Sequence, residues 1–194
     1  MLRRTSLIAS FALAFTTATH AGGGYVRPLV PETIEPPAGL KLVLVGHAVG
    51  TQNYICAPAS TPTGVDWLFI GPQATLFNST LQQVATHFHS TNPYQDDAIQ
   101  ATWQSSRDTS SVWAVKYKGS TDSAYVAPDA IEWLLLEVKG AQAGPTGGTT
   151  LVPAKWIQRV NTSGGLAPPA SECNAGTLKN RKLVPYEADY YFYK

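Results

Sequence analysis

Charge is scarce in this chain. Of 194 residues, only 14 % are Asp, Glu, Lys or Arg, and 14 basic side chains stand against 13 acidic ones. A net charge of +1 carries no basic footprint for nucleic acid, so nucleic acid is excluded as the partner. Cysteine is nearly absent: Cys56 and Cys173 stand alone, with no Cys-x-x-Cys, which excludes a thioredoxin-type redox pair. Long apolar runs are missing after the N-terminus. The longest, Trp133-Leu134-Leu135-Leu136, is bounded by Glu132 and Glu137 and is far short of a membrane-spanning helix. There is no Gly-x-Ser-x-Gly, so a serine-hydrolase elbow is not available, and Asp96-Asp97, as neighbours, point apart rather than pair for glycosidase chemistry.

What is present is aromatic and breaker-rich: five Trp, nine Tyr, 16 Gly and 14 Pro. Such a composition favours an all-β domain. About ten short strand-like runs follow one another between turn signals, among them Leu40–Val45, Thr51–Cys56, Asp66–Ile70, Ala74–Asn78, Ile131–Val138 and Ala188–Tyr193. They predict a single-domain sandwich or barrel of mainly antiparallel strands with long loops. In the last run Tyr186, Ala188, Tyr190 and Phe192 share one face, expected to be core.

The N-terminus reads as an export signal. Arg3-Arg4 precede an apolar stretch from Leu7 to Phe15, and small residues lead to Ala21. Cleavage near Ala21 would remove two cations, turn the net charge from +1 to −1, and place the mature protein in the periplasm or outside the cell. Residues 22–39, with Pro28, Pro31, Pro36 and Pro37, form a Pro/Gly-rich extended arm, and residues 40–194 the β-rich domain. In an oxidising compartment the even cysteine count predicts a Cys56–Cys173 disulfide.

A set of word-like motifs carries a family resemblance. They are Gly50–Cys56, Gly71-Pro72-Gln73-Ala74, Thr86-His87-Phe88, Trp103–Asp108, Ile131–Leu135, Ile157–Gly165 and Val184–Tyr193. Together, from about Gly39 to Tyr193, they resemble an exported family of bacteria and fungi known as domain of unknown function 3455. His89 departs from the family pattern, where an apolar or aromatic residue is usual. The resemblance implies no activity. Some fungal relatives carry a malate dehydrogenase label, which this sequence does not support. Its glycine-rich stretch, Gly144–Thr150, contains a proline and leads into no helical pattern.

Candidate functional residues are few. Trp103, Arg107, Asp108, Arg159 and Asn161 are the ligand-binding candidates, for a small molecule or a carbohydrate. Arg159 lies inside a strand-like run, so it is expected to pair with an acid such as Asp108 or Asp189. The functional alternative is that it lines a pocket for an anionic or polyhydroxy ligand. His87 and His89, two apart on a strand, share a face and are the metal candidates, with His47 the one further histidine of the mature chain. Asn78 and Asn161 begin glycosylation sequons, which matter only in a eukaryotic host. The reading is a non-catalytic binding or envelope-associated protein without a cofactor; its alternative is a metal-dependent enzyme or metal-binding protein using His87 and His89. With no strand–glycine loop–helix unit to seat a pyrophosphate, calorimetric titration with NADH is expected to show no binding. Micromolar affinity coupled to malate or oxaloacetate turnover would refute this.

Overall fold

The computed structural model describes residues 25–194. The signal-peptide reading of residues 1–21 and the start of the arm lie outside them. Eight strands close a barrel in which each pairs antiparallel with the next and the last returns to the first. They are β1 (Leu42–Pro58), β2 (Val65–Phe77), β3 (Gln83–Asn92), β4 (Ala98–Ser105), β5 (Ser111–Ser120), β6 (Trp133–Gln142), β7 (Trp156–Gly164) and β8 (Arg181–Tyr193). The all-β expectation holds, but ten runs become eight strands. Leu40–Val45 and Thr51–Cys56 are one strand, because Gly46 and Gly50 face inward rather than turn the chain. A Cβ on Gly50 would lie 2.2 Å from the Gln73 carbonyl oxygen, and one on Gly46 would lie 2.8 Å from Leu76 Cδ2. Asp66–Ile70 and Ala74–Asn78 likewise merge. Gly71, at φ 134°, sits where the β1–β2 register shifts between Asn53 and Tyr54, so it marks a bulge, not an end.

The barrel interior is filled by the alternate residues of each strand. Leu76, Trp103, Val112, Ile157, Tyr190 and Phe192 are each no more than 1 % exposed. Small inward residues on neighbouring strands, Ala48, Ala74, Ala85 and Ala114, make the room these large rings need. On β8 the expected face is the buried one: Tyr186, Ala188, Tyr190 and Phe192 all point to the core. The strand is tied on both sides, to β1 and to β7.

Outside the barrel, β6 is covered as well. Trp133 and Leu135 point away from the interior and pack with Val160 against Ile34, Val126 and Ala130. This explains the unbroken apolar run at 133–136: one pair of side chains faces the barrel core and the other a second layer. The arm supplies that layer. A short 3-10 turn, Glu32–Ile34, buries Ile34 completely, and the Gln158 side chain donates to the Ile34 carbonyl at 2.8 Å. Arg27 donates to the Leu40 carbonyl and lies over the Tyr193 ring. Full burial of one isoleucine contributes about 2 kcal/mol, so the arm is part of the fold.

The two ends of the barrel differ. At one, the β6–β7 connection tucks Leu151 and Ala154 beneath the core. Asp108, in the β4–β5 turn, holds it there by accepting the Thr150 N–H at 2.9 Å and the Thr150 hydroxyl at 2.8 Å. At the other end the β7–β8 connection is fastened to β1 by a Cys56–Cys173 disulfide, with Cα atoms 5.3 Å apart. The bond packs with Tyr54 and Trp67. A cross-link between residues 117 apart restricts the unfolded chain by about 4–5 kcal/mol in the chain-entropy description. Replacing both cysteines with serine is expected to lower unfolding free energy by about 3–5 kcal/mol in urea titrations; a loss under about 1 kcal/mol would show that the β7–β8 connection needs no staple.

Candidate functional site

A cavity of about 310 Å³ opens at the disulfide end of the barrel. It reaches the lower limit of typical small-molecule pockets. Its walls are largely apolar: Ala101, Ala114, Leu134 and Leu136, with Phe69 and Ile99 at the rim. Strand alternation places the polar side chains. Gln52 on β1, His87 and His89 on β3, Lys116 on β5 and Arg159 on β7 all line this space.

His87 is the most constrained of them. Its ring stacks on Trp103 at 4.1 Å between centroids and 7° between planes, with Tyr190 edge-on at 5.1 Å. Its Nδ1 lies 2.9 Å from the Thr102 carbonyl oxygen. A carbonyl only accepts, so Nδ1 carries the proton and Nε2 presents a lone pair. Burial pushes the His87 pKa down to about 3; the Thr102 bond opposes this, while the charges of Arg159 and His89 add to it. Burial also lowers the pKa of His89, which stands edge-on to Phe69 at 5.5 Å. Both imidazoles thus enter the cavity as the neutral form.

Arg159 is paired differently from expectation. One Nη donates to the Glu132 carbonyl at 2.9 Å, and the buried Nε has no partner. None of the ion pairs among the described residues includes it. The predicted acids are elsewhere for a simple reason of alternation and end. Asp189 precedes the inward Tyr190 and therefore faces out, where it accepts from His47 Nδ1 at 2.6 Å and from Asn161 at 2.8 Å. Asp108 belongs to the closed end. Its partial burial favours the neutral acid, but hydrogen bonds from Thr150 and Ser110 outweigh that and hold its carboxyl well below the usual range. The field of Arg159 acts instead on phenols: burial raises the pKa of Tyr54, Tyr186 and Tyr190, and the guanidinium opposes each rise.

The structure therefore brings together Trp103, His87, His89 and Arg159 and separates the rest. Arg107 is exposed beside Asp108 at the closed end, and Asn161 is exposed at a left-handed φ of 51° on the outer wall. His47 also faces outward, so a three-histidine site does not form. Among the described residues no group of three or more His, Cys, Asp or Glu stands close enough to share an ion. Gln52 and Tyr190 belong to the site without having been singled out by sequence. The signal for Gln52 was its parity: it is the polar member of the series Gly46, Ala48, Gly50, all facing inward.

The family model for a protein of unknown function, DUF3455, matches residues 36–194. The chain belongs to the DUF3455 family. Comparison with curated proteins and with solved structures gives no match. The family span takes in every strand and all the cavity-lining side chains. The family description assigns no function, and the glycine-rich stretch that a dehydrogenase label would need is a turn here: Gly144 N–H donates to the Gly148 carbonyl at 2.8 Å, with no α-helix after it.

A neutral buried His87 makes acid stability a direct readout of the site. Its folded pKa of about 3 lies below the unfolded value of 6.5, so the unfolded chain takes up the proton first. Its contribution is complete above about pH 6.5 and is lost as pH falls toward 3, by at most about 1.4 kcal/mol per pH unit. His87→Phe, which keeps a ring on Trp103, is expected to flatten the stability profile between pH 6 and 3.5. An unchanged slope would place the acid-sensitive group elsewhere.

Proposed function

We propose that this chain is an exported, non-catalytic binding protein that takes an anionic small molecule into the open end of its barrel. The observation that carries this reading is Arg159: a cation turned into a largely apolar cavity, with Nε unpartnered and, among the described residues, no carboxylate in an ion pair with it. Arg159 as a whole is half-buried, but a buried guanidinium N–H without an acceptor is costly, and an anionic ligand supplies the missing partner. The Nε1 of Trp103 and Nε2 of Gln52 are further buried donors without acceptors, and both residues line the same cavity.

Export is supported by the signal-like N-terminus together with the disulfide, since such bonds persist in oxidising compartments. The outer wall bears polar residues such as Gln73, Thr75, Thr86 and Gln104, and its apolar Trp133, Leu135 and Val160 are covered by the second layer. That is the reverse of a membrane-spanning barrel. The metal-enzyme alternative keeps one supporting feature, the shared cavity of His87 and His89. The charge of Arg159 beside them disfavours a cation there.

If Arg159 is kept for a ligand, its removal does not weaken the empty protein. Arg159→Met is expected to leave ligand-free stability unchanged or to raise it by about 1–4 kcal/mol in chemical denaturation. A loss above about 2 kcal/mol would show that the guanidinium is a structural brace and would sink the reading.

A further inference from the structure

We infer that the ligand of this cavity is a single-ring hydroxylated aromatic carboxylate, with its carboxylate on Arg159 and its hydroxyl donating to His87 Nε2. The inference rests on the anion-binding reading above and adds the chemistry of the ligand body.

Three features select that class. The first is donor supply. Arg159 Nε, Trp103 Nε1 and Gln52 Nε2 are all N–H groups without acceptors, and a carboxylate offers about four lone-pair sites on two oxygens. The second is the one oriented acceptor. With Nδ1–H held by the Thr102 carbonyl, His87 Nε2 lies across the ring from that wall, and no protein group donates to it. Neutral imidazole at that place reads a hydroxyl on the ligand. A plain carboxylate leaves it bare.

The third is the shape and polarity of the space. A polyhydroxy sugar would need many more polar partners than the cavity has, since Leu134, Leu136, Ala101 and Ala114 make up much of its wall. The ring stack of His87 on Trp103, with Tyr190 edge-on, is a rigid aromatic surface suited to a flat body. A volume of about 310 Å³ suits one ring better than two. Phe69 and Ile99, 40 % and 71 % exposed at the rim, remain for the ring edge to cover.

The test is calorimetric titration of the purified protein with five probes: 3- and 4-hydroxybenzoate, benzoate, 4-hydroxybenzyl alcohol and glucose. The better hydroxybenzoate is expected to bind about tenfold more tightly than benzoate, the worth of one hydrogen bond. It should bind about a hundredfold more tightly than the neutral alcohol, the worth of a charged one. In His87→Phe the hydroxybenzoate and benzoate affinities should converge, and Arg159→Met should lose both. Benzoate binding as tightly as hydroxybenzoate in the unaltered protein overturns this inference and leaves the anion reading standing; that comparison needs no variant to fold. Binding of the alcohol or of glucose without any carboxylate overturns both. If no carboxylate binds, the inference falls, and the ligand-free stability of Arg159→Met decides separately whether the anion reading survives.

Discussion

Closing eight strands into one barrel leaves an interior that side chains must fill, and the rest of this molecule depends on how that filling is distributed. Three of the large rings meet in the interior. Phe192, Trp103 and Tyr190 interlock, Trp103 meeting Tyr190 at 5.4 Å and Phe192 at 6.1 Å between centroids. Glycines and alanines on β1, β2, β3 and β5 leave them space. A barrel packed in this way is tight where rings meet and open where the ring supply ends. The cavity adjoins these rings, and Trp103 belongs to both regions, as core member and as cavity lining.

The two ends are then sealed by different chemistry. At the packed end a neutral-to-anionic network suffices: the Asp108 carboxylate gathers Ser110 and Thr150, and the Ser110 hydroxyl accepts the Leu151 N–H at 3.1 Å. These bonds hold an apolar plug against an apolar core. At the open end the β7–β8 connection is held to the rim by the disulfide, by Trp67 Nε1 donating to Pro169 and by the Tyr54 hydroxyl donating to Gly165. A covalent and hydrogen-bonded rim keeps the mouth shaped. This division assigns Asp108 to the architecture and Arg159 to the cavity.

Much of the fold was legible because it rests on period-two alternation. The inward face of β8, the inward pair His87 and His89, and the strand character of 133–138 all follow from parity alone. Glycine was the point of failure. Gly46, Gly50 and Gly71 read as punctuation, yet in a barrel wall they serve close approach and a bulge, and nothing local distinguishes the two uses. The site was half legible. Parity showed that Arg159 lies on a strand but not which end of the barrel Asp108 occupies, nor that Asp189 faces out to His47. Ion-pair partners across 30 to 50 residues are set by topology, and topology is what a period cannot report.

The same parity explains why the site tolerates an uncompensated cation at all. A residue on β7 between Gln158 and Val160 has only two directions available, and both neighbours point outward. Gln158 is fully buried in the outer layer, bridging the Tyr193 hydroxyl at 2.5 Å and the Ile34 carbonyl, and Val160 packs in that layer too. Turning Arg159 outward would need a one-residue slip that drives those two into the barrel and breaks the docking of the arm. The arm, packed on the outer face of the wall, thereby fixes the register that points a guanidinium into an apolar space. The cost of that charge is borne by the burial of Ile34, Trp133 and Leu135 on the opposite face, which makes the outer layer a condition for the inner site.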